Sequence, residues 1–351
     1  MDSTGTLPEA LQRLHSSGPE RLGRLSNHAP MVVEALSAHG AAGSVHRWLD
    51  LYTSRLEEFP PGVEPVTAAN WRSALGDPRR AADWIGYFGR ELTERPWREV
   101  VAQWWPRLLS GMYGGATHPV IRVGHAVRTL LAAADDDANA SADADADASA
   151  AEPYLSELAH GLGYWAARHH PVADLDPLPG AESAAAALDA VTPLVEQDGG
   201  FPDRLGRVTG LPVWAATVTD PHEARHRLTE LVRAATHRYA THGHGQETML
   251  VHAATAPNAV LRVLPALPEA LWVPSLRAAW TASAAVTAMY APVAPIVRTP
   301  PGTLTAEEVF ERAVAHGDEH VIKLTDTALD VGDEQALAAA LRSMELSEPL
   351  A

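Results

Sequence analysis

Cysteine is absent from the 351 residues, and lysine occurs once, as Lys323. Without a thiol the chain can form neither a disulfide nor a thiolate metal site, so any metal must be held by histidine, carboxylate or a rarer donor. Long uncharged apolar runs are missing as well, and Met1-Asp2-Ser3-Thr4-Gly5 lacks the basic and then apolar pattern of a signal peptide. A cytoplasmic protein is the expectation. Cations are scarce: 27 Lys and Arg stand against 44 Asp and Glu, for a net charge of −17. That balance argues against nucleic acid or an anionic membrane as partner, because both are bound through basic patches.

What is present is ample material for a core. Hydrophobic residues make up 46% of the chain and there are ten tryptophans, with Trp71, Trp84, Trp97, Trp104 and Trp105 close together. These aromatics serve as core first and as a flat pocket wall second. Apolar residues recur at helical spacing over Pro8 to Leu25, Val45 to Glu57, Tyr154 to His169, His222 to Tyr239, Trp272 to Met289 and Ala306 to about Ala340. Asn27 suits a helix N-cap with Pro30 in the first turn, and the stretch Trp71 to Leu109 divides into short helices at Gly76-Asp77-Pro78 and Pro96. The loop Gly111-Met112-Tyr113-Gly114-Gly115-Ala116-Thr117 delivers His118 to the start of a helix through Leu131. It lacks the Gly-Lys-Ser/Thr of a P-loop, so a nucleotide site is set aside. Strand-like alternation is scarce. The expectation is an all-α protein, one large helical domain over 1–345 with a metal site in its core, interrupted by a disordered Ala/Asp-rich insertion at 132–151.

Arginine serves wherever a surface cation is needed, and the single retained amine is chemically distinct from it. Arginine stays protonated in proteins, whereas a buried lysine shifts its pKa readily. On one continuous helix His316, His320, Lys323 and Thr327 fall at i, i+4, i+7 and i+11 and share a face.

Seventeen histidines are too many to be ligands together. His15, His39, His46, His160, His169, His170, His222, His226, His237, His242 and His244 sit in polar, loop or exposed-face settings and are expected to be solvated, although His242 and His244 have the spacing of a metal-binding pair. His28, His118, His125, His252, His316 and His320 are embedded in apolar residues or in short Gly- or Pro-containing motifs. Buried imidazoles need partners for their nitrogens, and one metal ion satisfies several at once. An imidazole-rich site without thiolate suits Fe, Cu, Zn or Ni, while the His-Glu-x-x-His signature of zinc proteases is absent. Asp318 and Glu319, beside His320, read as helix-surface groups or as carboxylates that orient its ring.

Four stretches, in order along the chain, resemble the questin oxidase-like family: Asn27-His28-Ala29-Pro30; Gly115-Ala116-Thr117-His118-Pro119-Val120-Ile121-Arg122 with His125-Ala126-Val127-Arg128; Val251-His252-Ala253-Ala254-Thr255-Ala256-Pro257; and His316-Gly317-Asp318-Glu319-His320-Val321-Ile322-Lys323. Pro119 stands where glycine is expected. The resemblance implies an oxygenase that opens a ring of an anthraquinone or a related polycyclic aromatic polyketide in secondary metabolism. It implies a mononuclear non-haem iron held by His28, His118, His252 and His320, with His125 and His316 as alternates, and with Lys323, carboxylated, as a further ligand. Lys323 and His320 are the residues it implies for catalysis, and the small-molecule substrate and dioxygen are its partners.

The chemistry of the amine is consistent with that role. A neutral lysine takes up carbon dioxide to become a carbamate, an anionic oxygen donor on a long arm, which arginine cannot do. Four imidazoles and one carbamate leave one position of an octahedral iron(II) open for dioxygen. Two alternatives stand beside it: a Baeyer-Villiger-type oxygenase using NADPH through a partner reductase, and a non-catalytic helical protein that binds a hydrophobic metabolite. No Gly-x-Gly-x-x-Gly follows a strand, so the chain itself carries no Rossmann site for NADPH.

Overall fold

Capping side chains and left-handed glycines mark the helix boundaries in this chain. The Thr305 hydroxyl accepts the N–H of Glu308 at 3.2 Å while Glu308 accepts the N–H of Thr305 at 2.8 Å, a reciprocal box that satisfies two amides left open at a helix start. Asp220, Asp318 and Asp333 each accept backbone N–H groups in the same way at three other starts.

The computed structural model describes residues 6–22, 25–139, 144–297 and 304–350. Helices dominate, and the only sheets among the described residues are two short pairs, Glu20–Arg21 antiparallel to Leu25–Ser26 and Asp176–Leu178 parallel to Gly210–Pro212. The fold class is all-α. No helix among the described residues is long and apolar enough to cross a membrane. By its backbone contacts the chain forms two compact units, Met1–Pro171 with Arg262–Pro268, and Val172–Leu261 with Glu269–Ala351.

The first unit contains α1 (Thr6–His15), α2 (Ala29–Ala38), α3 (Val45–Tyr52), α4 (Ala81–Glu94), α5 (Trp97–Leu109), α6 (His118–Asn139) and α7 (Ala144–Ala167). Helix α7 packs against α4 and α6. Glycine permits the close approach: a Cβ on Gly163 would lie 2.7 Å from the backbone nitrogen of Ile85, and one on Gly161 would lie 3.1 Å from Val123. Trp84, Trp104, Trp105, Trp165 and Phe88 are fully buried, with Trp84 edge-on to Trp104 at 5.4 Å. The aromatic stretch is therefore core.

The second unit contains α8 (Pro221–His242), α9 (His252–Val263, as far as Leu261), α10 (Trp272–Tyr290), α11 (Ala306–His316), α12 (Glu319–Val331) and α13 (Glu334–Leu346). Val309, Ala328, Ala336, Ala340 and Leu341 form a buried cluster where α11, α12 and α13 meet.

Several boundaries differ from the expectation. The first helix stops at His15, and residues of the expected helix up to Leu25 enter the short antiparallel pair instead. The single helix expected over Ala306 to Ala340 is three helices, broken at Gly317 and Gly332, whose φ values of 79° and 73° are left-handed. Of the Ala/Asp tract 132–151, expected to be disordered, the backbone is helical to Asn139 and again from Ala144, and residues 140–143 lie outside the described residues.

Candidate metal centre

His28 stands at the N-cap position of α2, one residue later than the expected cap. Asn27 still organises the turn: its Oδ1 accepts the N–H of Ala29 at 3.0 Å and its Nδ2 donates to the Gly18 carbonyl at 3.1 Å. The N–H of His28 donates to the Tyr52 hydroxyl at 3.3 Å. Pro30 presets φ in the first turn.

His118 opens α6 after an unusual loop. Gly114 lies so close to α7 that an added Cβ would come within 1.5 Å of the Arg168 carbonyl oxygen, so only glycine fits. Gly115, Ala116 and Thr117 then adopt φ of 57°, 52° and 65°. Left-handed backbone at a non-glycine residue costs on the order of 1–3 kcal/mol and concentrates where a structure needs a particular geometry. The product of this turn is a fixed imidazole. His118 Nδ1 lies 2.8 Å from the Gly115 carbonyl oxygen, and its Nε2 lies 2.7 Å from His28 Nε2, the two buried rings stacked 4.4 Å apart.

His125, seven residues along α6, is engaged elsewhere. Its Nδ1 is 2.5 Å from Glu34, which also pairs with Arg128. Burial pushes the Glu34 carboxyl up, but Arg128 and His125 outweigh it and hold the group at about 2. A second buried network lies beside it. Arg122 makes two hydrogen bonds to Glu157, at 2.5 and 2.8 Å, and His15 Nε2 is 3.2 Å from the same carboxylate. Burial pushes Glu157 up and Arg122 with His15 brings it down to about 2.

His160, expected to be solvated, is buried and stacks on His15 at 4.6 Å; burial lowers it to about 3, so it is neutral. The available signal was the near absence of charge in Tyr154 to Ala167 after Glu157, which marks a helix enclosed on all sides.

In the second unit His252 begins α9 with no exposed surface, and its ring centroid is 6.1 Å from that of His320 in the first turn of α12. Burial, and then the charge of Lys323, hold His252 well below its ordinary pKa, so its imidazole is neutral. Lys323 is 1% exposed. Helices α9 and α12 are tied by Asn258, whose Nδ2 donates to Thr327 Oγ1 at 3.3 Å and to Asp330 at 2.8 Å.

His316 does not share a helix with His320 and Lys323, because α11 ends at it. Its Nε2 lies 3.2 Å from the Ser347 carbonyl oxygen. The face expected to carry His316, His320, Lys323 and Thr327 therefore carries only the last three. Gly317 takes the left-handed position that closes α11, and Asp318 caps α12 by accepting the N–H groups of His320 and Val321 at 2.9 and 3.0 Å. Its Oδ1 is 3.8 Å from His320 Nδ1, beyond a hydrogen bond, so capping is its main work. Glu319, expected on the surface or behind a ligand, is buried. Asp318→Ala is expected to lower stability by about 1 kcal/mol, with Asp318→Asn close to wild type, as read by thermal unfolding.

A family model for questin oxidase-like proteins matches residues 25–327, a stretch that runs from just before His28 to just beyond Lys323. The chain belongs to the questin oxidase-like family. No curated protein matches it. The family bears the name of an oxidase.

In this questin oxidase-like protein the spacing of the His28–His118 pair suits two nitrogens on one metal ion. At metal–nitrogen bonds of about 2.0–2.1 Å, two nitrogens at right angles on one ion stand roughly 2.9 Å apart, close to the 2.7 Å between His28 and His118. The other nitrogen of His118 meets a backbone carbonyl, the arrangement usual for a ligating imidazole. His252 is neutral, as a ligand must be.

Proposed function

We propose that this protein is a non-haem iron oxygenase that uses dioxygen to open a ring of an anthraquinone-like or other polycyclic aromatic polyketide in secondary metabolism. The observation that carries the proposal is the buried His28–His118 pair, two Nε2 atoms 2.7 Å apart with the His118 ring set by a backbone carbonyl, in a chain of an oxidase family. The ligands are His28, His118, His252 and His320 with Lys323.

Iron, when bound, supplies a redox centre and Lewis acid for dioxygen and a phenolic or enolic substrate. The chain's own residues do the rest. His252 offers a neutral nitrogen because burial keeps the proton off it. The Lys323 nitrogen attacks the carbon of carbon dioxide, forming a nitrogen–carbon bond and releasing one proton, and so becomes a carbamate donor. The burial of Lys323 and His252 excludes bulk water, which protects a carbamate from loss and strengthens local electrostatics.

Purified protein is expected to contain stoichiometric iron by elemental analysis and to consume oxygen with an anthraquinone-type hydroquinone in the absence of NADPH. Full turnover by iron-free protein, or strict dependence on NADPH with a reductase, would overturn this function.

A further inference from the structure

The turn before His118 has features that a plain helix start does not require. Three consecutive residues are left-handed, two of them are not glycine, and Thr117 is β-branched with its hydroxyl buried and unpartnered. We propose that this turn is a positioning device for His118: the Gly115 carbonyl keeps the ring proton on Nδ1 and so presents Nε2 bare, to His28 in the metal-free protein and to iron in the loaded one.

The Gly115 carbonyl faces His118 twice. It accepts the main-chain N–H of His118 and lies 2.8 Å from the ring Nδ1. The following residue cannot compete for that oxygen, because Pro119 has no N–H. This gives a purpose to a proline found where the family pattern suggested glycine. With Nδ1 protonated, Nε2 of His118 is an acceptor, and the 2.7 Å contact with His28 is then a hydrogen bond donated by His28 Nε2.

The turn is also braced from outside. A Cβ on Gly115 would stand 3.2 Å from both the Pro119 ring and the Tyr164 hydroxyl. That hydroxyl lies 2.7 Å from Ser26 Oγ, two residues before His28, and burial pushes it far above its ordinary pKa, so it stays protonated. Tyr164 thus touches the segments that carry both histidines, and it too is a positioning residue. Preorganising a ligand's ring and tautomer raises metal affinity because less freedom is lost on binding.

The tautomer assignment stands on the metal-free protein alone; its consequence for affinity rests on the iron-oxygenase function proposed above. The test uses metal-free full-length protein with 15N-labelled histidine. Long-range proton–nitrogen spectra are expected to show His118 in the Nδ1–H form, and an even mixture or the Nε2–H form would overturn the proposal. In Gly115→Ala the carbonyl is displaced, and we expect mixed tautomers and a 10–100-fold weaker affinity for Co(II) by calorimetry, the range for loss of an outer partner of a ligating histidine. Ala116→Gly, which accepts the left-handed backbone without strain, is expected to keep the tautomer and to unfold at higher temperature. A folded Gly115→Ala with wild-type Co(II) affinity sinks the positioning role and leaves iron chemistry standing. An Nδ1–H spectrum in a protein that binds no metal does the reverse. If Gly115→Ala fails to fold, the wild-type spectrum alone decides.

Discussion

Lys323→Arg is expected to lose ring-cleaving turnover by more than roughly 100-fold and most of its iron, since even an outer partner of a ligating residue is worth about 10–100-fold. The substitution preserves a basic side chain of similar reach, but guanidinium stays protonated and cannot form a carbamate. Two companions separate ligand loss from damage to the fold. Lys323→Met replaces a side chain that is 1% exposed with an apolar one of similar length, and it should match or exceed the thermal stability of iron-free wild type while failing to take up iron. Lys323→Glu supplies a carboxylate on a shorter arm and should recover part of the iron but little turnover. Native mass spectrometry under gentle conditions should show one carbon dioxide adduct on wild type and none on Lys323→Arg, and reconstitution with iron should slow in buffer depleted of carbon dioxide. An arginine variant with wild-type iron content and turnover would end the proposal.

Arg122→Ala is expected to destabilise the protein by about 3–5 kcal/mol, the range for leaving a buried charge uncompensated. The guanidinium makes both hydrogen bonds to Glu157, and both side chains are buried. The double change Arg122→Met with Glu157→Leu should recover most of that loss, because removing both members also removes both desolvation penalties. Urea unfolding of wild type and the two variants gives the comparison, and an Arg122→Ala variant within about 1 kcal/mol of wild type would contradict the role given to this pair.

The buried carboxylates of both networks set the acid response. Glu34 and Glu157 are lowered in the folded protein from 4.5 to about 2. Between those values the unfolded chain binds more protons than the folded one, so each group's stabilisation is complete above pH 4.5 and lost as the pH falls toward 2. At 1.36 kcal/mol per unit each is worth roughly 3 kcal/mol. His160 has the same sign by another route: its folded value, about 3, lies below the ordinary 6.5, so acid destabilisation begins already below pH 6.5 as the unfolded imidazole charges. Unfolding free energy should therefore decline below pH 6.5 and fall steeply below 4.5, and Glu157→Gln should flatten the steep part.

Much of the fold was legible residue by residue. Helical period acts over a few positions, and it sufficed for the all-α class, for the helix Pro221–His242 and the helix start at Ala306, and for the apolar setting of His28, His118 and His252. Gly317 and Asp318 carried a local stop and start signal that the continuing apolar period masked, and for that reason His316 was placed on the wrong helix. His160 and the Arg122–Glu157 pair were not legible, because their burial depends on which helices close over α7.

By itself the sequence determined the chemistry available: no thiol, one amine, and a small set of histidines in apolar motifs, all properties of composition and short-range pattern. The tertiary structure alone decided how some of those groups are used. It set His28 against His118 across 90 positions of chain, held three residues left-handed to turn one imidazole, and gave His125 to Glu34. Local propensity ends within a few residues of its source, whereas the partner of a buried polar group is chosen by long-range packing that no short window of sequence contains.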